Sequence, residues 1–146
     1  MTPEERARAA ARALWTNDRA SKSLGMEILE VGPGFSIVAM NATIEMTNGI
    51  GTIHGGFIFA LADSAFAVAC NSYNERTVAA HCSITYLAPG VTGKRLLASA
   101  REISRAGRSG LYDIEISQEG TIIAQFRGHS RSIGGTLFSE PSSQRS

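Results

Sequence analysis

The 146-residue sequence is poor in several things, and each shortage excludes a class of protein. It has two cysteines, Cys70 and Cys82, in no CxxC or CxxH pattern. That spacing points away from a zinc site. It leaves two free thiols used as small apolar packing groups in a reducing compartment. The formal net charge is only +1 and charged residues make up 18%, without the basic excess of a general nucleic-acid binder. There are three histidines, none at metal-ligand spacing from another. The N-terminus MTPEERARAAARALWTNDRA is charged and lacks the apolar core of a secretory leader. The one long apolar run, residues 55–70, is too short to cross a bilayer and carries a charge, Asp63. Apolar residues still reach 43%, enough for one globular domain with a sizeable core. These features predict a soluble cytoplasmic protein.

Thr2-Pro3-Glu4-Glu5 reads as an N-cap, a first-turn proline and first-turn acids. It predicts a helix whose apolar stripe is Ala9, Ala10, Ala13, Leu14 and Ala20, stopping at Gly25. Two strands are expected at 26–31 and 35–42, split by Gly32-Pro33-Gly34. A loop over 47–52 leads into a long apolar helix from His54 to about 71–74. The period then changes from helical to alternating, which predicts four strands at 77–87, 96–104, 110–117 and 122–133. Turns fall at 105–107 and 118–120. The chain shows no internal repeat and no linker. A single domain over 1–138 is expected, with 139–146 as a polar, disordered tail. This order is an α+β pattern. A helix apolar on nearly every face must be covered on nearly every side, and one antiparallel sheet curved around it does that. Pairing across a dimer is one way to manage the edges of such a sheet.

The long helix reads HGGFIFALADSAFAVAC. Asp63 is its anomaly. An ionised carboxylate in apolar surroundings is costly unless paired or hydrogen-bonded, and the residues three and four away, Phe59, Ala60, Phe66 and Ala67, are all apolar. A structural and a functional carboxylate both remain open on this ground alone. At the helix start, His54-Gly55-Gly56 places two poor helix formers where close approach of a ligand or backbone needs them. Free N–H groups there favour negative charge, so Gly55 is a candidate oxyanion donor; a plain loop-to-helix turn is the alternative. His54 is a candidate base, a ligand or a residue that orients the loop.

These parts suit a reaction at a carbonyl. The carboxylate activates water or attacks directly, and the helix N-terminus holds the developing oxyanion. Gly55 and Asp63 are eight residues apart, about 12 Å along a helix. Both groups must come within about 3 Å of the reacting atoms, which one helix does not allow. If both act, they come from two copies of the helix, in a site shared between subunits.

The stretch TNGIGTIHGGFIFALADSAFAVACNS, with ITYLAPG, RAGRSGLYDIEI and FRGHSRSIGG, resembles the hotdog-fold thioesterases of the phenylacetic acid degradation (PaaI) group. The likeness spans roughly residues 20–135, and the spacing of Asn48, His54, Gly55, Gly56 and Asp63 matches that group's pattern. The resemblance implies a hotdog fold, sheets joined in a homodimer, and dimers paired into a homotetramer. It implies hydrolysis of acyl-coenzyme A thioesters, with phenylacetyl-CoA and its ring-hydroxylated relatives as substrates, and no cofactor or metal. Asp63 carries over as base or nucleophile. The Gly55 amide carries over as the oxyanion donor from the partner subunit. Asn48 and His54 carry over as loop residues, with Asn48 near the attacking water or the thioester.

Coenzyme A carries phosphates, so basic residues are expected at the mouth of the site. Lys94, Arg105 and Arg108 are candidates, with the backbone of Gly107 in the same turn; solvated surface charge is the alternative for each. Gly56, beside Gly55 at the helix start, is a further candidate for substrate binding. Phe59, Phe66 and Tyr86 are candidates for an aromatic acyl pocket, against core packing as the alternative. Some hotdog relatives place a hydroxyl one helical turn after the carboxylate. Here that residue is Ala67, and Ser64 points about 100° away around the helix, so a water-orienting hydroxyl is expected from elsewhere, such as a strand of the partner. Two rival functions stand. A hydratase or dehydratase would need a histidine at helix distance from Asp63, and none follows it. An acyl-CoA-sensing module with a DNA-binding element lacks room for a helix-turn-helix in the first twenty or so residues; a binding module without catalysis would leave Asp63 unexplained.

Overall fold

A computed structural model describes residues 1–141. Helix α1 (Pro3–Asn17) begins with the expected cap: Glu5 N–H donates to Thr2 Oγ1 and Thr2 N–H donates to Glu5 Oε1, both at 3.1 Å. The stripe it buries is Ala7, Ala10 and Ala11, so the expected stripe is shifted, and Ala20 is exposed. The expected single helix to Gly25 is in fact two. Asp18 interrupts it and caps a second, short helix α2 (Arg19–Ser23), accepting from the Ser21 amide at 2.9 Å. A short carboxylate that bonds its own downstream backbone competes with helix continuation.

Strands β1 (Glu27–Gly32) and β2 (Phe35–Asn41) form a hairpin, and a 3-10 turn (Ile44–Met46) leads to the loop before helix α3 (Gly55–Cys70). Strands β3 (Thr77–Tyr86), β4 (Arg95–Ala106), β5 (Ser109–Gln118) and β6 (Thr121–Ser132) follow. The six strands make one antiparallel sheet in the order β1-β2-β4-β5-β6-β3. Helix α3 packs against all six, so the sheet curls around it as the alternating periods required. The helix fits because the strands are small beneath it. Ala98 and Ala100 of β4 are fully buried, and Gly128 of β6 lies under the Phe66 ring, where a Cβ would come within 2.6 Å of ring carbon. Phe66 stacks at a tilt on Tyr112 and Phe126, with ring centroids 5.6 and 6.0 Å away. Leu61, Leu96, Ile114 and Ile116 complete this core.

Among the described residues strand β3 is a sheet edge that pairs only with β6. Val78, Tyr86 and the adjoining Leu87 are exposed there. Of the expected disordered tail, residues 139–141 are described and Glu140 pairs with Arg6, while the rest of that tail lies outside the described residues. No helix is long and apolar enough to cross a membrane among the described residues.

Candidate active site

His54 is the N-cap of α3, and its Nδ1 accepts from the Gly56 amide at 2.9 Å. An accepting Nδ1 puts the proton of a neutral imidazole on Nε2. His54 is thereby a capping group at its Nδ1, and the Gly56 amide is spent on it. The Gly55 amide, in contrast, has no acceptor among the described residues. Of the two glycine N–H groups, only that of Gly55 is left to meet an oxyanion. Gly55 is also closely approached by a side chain. Tyr86 Oη donates to its carbonyl oxygen at 2.9 Å, and a Cβ on Gly55 would lie 2.9 Å from the Tyr86 ring.

Asn48 shapes the loop ahead of the helix. Its Oδ1 accepts from the amides of Ile50 and Thr52 at 3.0 and 3.1 Å, and its Nδ2 donates to Thr52 Oγ1 at 2.8 Å. Asn48, Gly55 and Tyr86 line one open cleft of about 500 Å³ together with Ile58, Leu87 and Pro89.

Asp63 lies elsewhere. It lines a separate cavity of about 200 Å³ between α2 and α3, with Asp18, Ser21, Ala60, Ser64 and Ala67. The Gly55 cleft and the Asp63 cavity share no residue, as the eight-residue spacing on one helix demands. Burial raises the Asp63 carboxyl above the usual carboxylate range, and the negative charge of Asp18 adds to the rise. Ser64 turns toward α2, on a cavity that Asp63 also lines. Adjacent side chains diverge around a helix, but the α2–α3 cavity is wide enough to be lined by both. Ser64 Oγ lies 2.7 Å from Ser21 Oγ, which in turn donates to Asp18 Oδ2 at 2.7 Å. Sequence reading passed over Asp18 and Ser21 because the stretch reads as continuous helix; the signal available was the Asp-x-x-Ser cap pattern itself.

The remaining candidates divide. Phe66 is 1% exposed and belongs to the core, because Gly128 opens a slot for its ring. Phe59 is half-buried and meets Phe126 edge to face at 5.2 Å. Arg105 stacks on Tyr73 at 3.6 Å and pairs with Glu75 at 3.3 Å. It shares a small crevice with Gly107, Arg108 and Cys70, at the C-terminal end of α3. Lys94 pairs with Glu119 at 3.0 Å beyond the opposite end of β4, about 35 Å from Arg105 at strand rise. One chain therefore does not gather these cations into one phosphate site. Burial pushes the Cys70 thiol up to about 12, and the Cys82 thiol is raised by burial and then by the Asp63 charge, so both stay protonated packing groups near neutral pH.

Residues 50–124 match the family model of the thioesterase superfamily. The chain is 44% identical over 131 residues to the acyl-coenzyme A thioesterase PaaI of Escherichia coli K12, covering 89% of this chain and 94% of that one. The solved structure of the E. coli PaaI protein from the phenylacetic acid degradation operon superposes with a TM-score of 0.91 at 42% identity, covering 92% of this chain and 99% of that one. TT0310 protein from Thermus thermophilus superposes with a TM-score of 0.78 at 37% identity, covering 80% and 99%. With a free helix-start amide, a half-buried carboxylate on the same helix and a sheet curled around both, this chain belongs to the hotdog-fold thioesterase superfamily.

Proposed function

We propose that this protein hydrolyses acyl-coenzyme A thioesters, with phenylacetyl-CoA and ring-hydroxylated phenylacetyl-CoA as its substrate class, in sites shared between two copies of the chain in the cytoplasm. The observation that carries this reading is the separation of the unspent Gly55 amide from the Asp63 carboxylate into two cavities on one helix. A partner joined along the exposed edge of β3 supplies the missing half to each, and dimers pair further into a tetramer. The similarity to the PaaI thioesterase supports the substrate class.

In the reaction, Asp63 takes a proton from water as the water oxygen adds to the thioester carbonyl carbon. The partner's copy of the Gly55 amide donates to the oxyanion that forms. Collapse breaks the carbon–sulfur bond, and the proton on Asp63 passes to the leaving thiolate, giving the free acid and coenzyme A. Asn48 holds the loop that shapes the cleft, and Tyr86 is the aromatic group on its wall. Arg108 and the Gly107 backbone form a turn for coenzyme A phosphates, beside Arg105, which is held by Tyr73 and Glu75, and Lys94 lies on a different stretch of the rim, paired with Glu119.

Thiol release from phenylacetyl-CoA, measured beside a series of aliphatic acyl-CoAs, tests the activity and its preference. Asp63→Asn keeps the side-chain volume and removes the base; a loss of 10²–10⁴-fold or so is expected, and an unchanged rate overturns the assignment. A heterodimer of Asp63→Ala with a chain lacking the Gly55 amide contains one intact site and one doubly broken site. It should recover about half the wild-type activity, and no recovery refutes sharing.

A further inference from the structure

A second carboxylate stands behind Asp63, joined to its cavity by two hydroxyls. Asp18 Oδ1 accepts from the Ser21 amide at 2.9 Å and Asp18 Oδ2 accepts from Ser21 Oγ at 2.7 Å. Ser21 Oγ is 2.7 Å from Ser64 Oγ. A hydroxyl has a single hydrogen. That of Ser21 is committed to the Asp18 carboxylate, so in the second contact Ser64 is the donor. The relay runs Ser64 to Ser21 to Asp18 and ends on an anion, which fixes its direction and strengthens each bond in it.

This order determines what Ser64 offers the cavity. Its hydrogen is turned toward α2, and its remaining capacity is that of an acceptor, on the wall that also carries the Asp63 carboxylate. The neighbouring wall residues Ala60 and Ala67 are small and leave space; about 200 Å³ is room for several waters at roughly 30 Å³ each. A water in this corner meets two acceptors, Asp63 and Ser64, and no donor among these side chains. Both of its hydrogens are then spent on the wall, and its lone pairs face away from it, free to attack.

We propose that Ser64 binds the hydrolytic water beside Asp63, and that Ser21 and Asp18 are positioning residues that turn the Ser64 hydroxyl into an acceptor. The proposal rests on the thioesterase reading above. The proton still goes from water to Asp63, and Ser64 exchanges none; it holds the second hydrogen of the water while the oxygen attacks the carbonyl carbon. The rise of the Asp63 carboxyl caused by burial and by Asp18 fits a base that keeps its proton affinity in this corner.

Single-turnover thiol release from phenylacetyl-CoA, with substrate affinity measured separately, tests it. Ser64→Ala should slow the chemical step by about 5–30-fold, the worth of one hydrogen bond to a reacting group, with substrate affinity unchanged. Ser64→Thr, which keeps the hydroxyl, should restore most of the rate. Ser21→Ala should slow the step less, because the released Ser64 hydroxyl turns its hydrogen into the cavity part of the time. Alanine is a good helix residue, so both alanine variants are expected to fold, and thermal melting checks this. If Ser64→Ala and Ser21→Ala lower the melting temperature while the single-turnover rate stays at the wild-type value, the relay merely pins α2 to α3 and the proposal is overturned. Asp63→Asn in parallel separates the two readings. A rate lost with Asp63→Asn but kept with Ser64→Ala sinks the relay alone, a rate kept with Asp63→Asn sinks Asp63 as the base and the relay with it, and no thiol release from the wild type sinks the thioesterase reading beneath both.

Discussion

Tyr86, the last residue of β3, hangs on the first peptide of α3: its hydroxyl donates to the Gly55 carbonyl at 2.9 Å while its ring closes the space beside the Gly55 α-carbon. One side chain thus anchors the helix start and crowds the Gly55 α-carbon. The contact links the sheet edge to the only glycine amide of the pair that is left free.

The relationship yields a test of the amide itself. Gly55 is the first residue of α3, a position that tolerates proline, and the preceding His54 already sits at φ −59° and ψ 133°, which a residue before proline accepts. The obstacle is the Tyr86 ring, so the comparison is made with Tyr86→Ala already in place. In that background Gly55→Ala keeps the N–H and Gly55→Pro deletes it. The proline variant should fall below the alanine variant by about 10²–10³-fold in kcat, as for other lost oxyanion donors, with similar melting temperatures. Equal rates for the two would remove Gly55 from the oxyanion site.

Asp63 should cost the fold stability at the pH where it serves the reaction. Its carboxyl is raised in the folded chain by burial and by Asp18, so the folded state prefers it protonated. The stabilisation from that proton is fully present below the ordinary carboxylate range and is lost as pH rises through the raised value. Asp63→Asn is therefore expected to melt higher than wild type at pH 8, with the gap closing as pH falls below the ordinary carboxylate range. Thermal melts of the two proteins across pH check this, and a variant that melts lower at pH 8 contradicts it.

Asp18→Asn separates charge from cap. Asparagine caps a helix about as well as aspartate, so α2 should persist while the charge that raises Asp63 is gone. The acid limb of the kcat/KM profile, set by the base in the free enzyme, should move to lower pH. An unmoved limb means that the Asp18 charge does not reach Asp63 in the assembled protein.

Much of this was legible in the order of residues, for reasons that can be stated one at a time. The Gly32-Pro33-Gly34 hairpin turn, the switch from helical to alternating period after Asn71, and the Asp63 anomaly are all local patterns, and each element appears where its pattern lies. The contacts that crossed the chain were not legible. Nothing near Arg105 in sequence announces that it stacks on Tyr73, and nothing near Ser64 announces Ser21, forty-three positions earlier. The break at Asp18 was hidden because its apolar neighbours on both sides keep a helical spacing. Phe66 looked as available for a ligand as Phe59 because periodicity shows only that a helix face is apolar, and the slot that swallows Phe66 is made by a glycine sixty-odd residues away.

That glycine gives the last prediction. A Cβ at Gly128 would stand 2.6–2.8 Å from three carbons of the Phe66 ring, which is wedged against Tyr112 and Phe126 and has no open side to move into. Gly128→Ala should destabilise the fold by about 1–3 kcal/mol, the usual cost of overpacking a filled core, although alanine suits a strand better than glycine does. Pairing it with Phe66→Leu, which gives up ring volume beneath the new methyl, should recover part of the loss. Denaturant midpoints for the two single variants and the double variant measure the coupling; additive effects would mean that the ring and the strand do not press on each other as the fold requires.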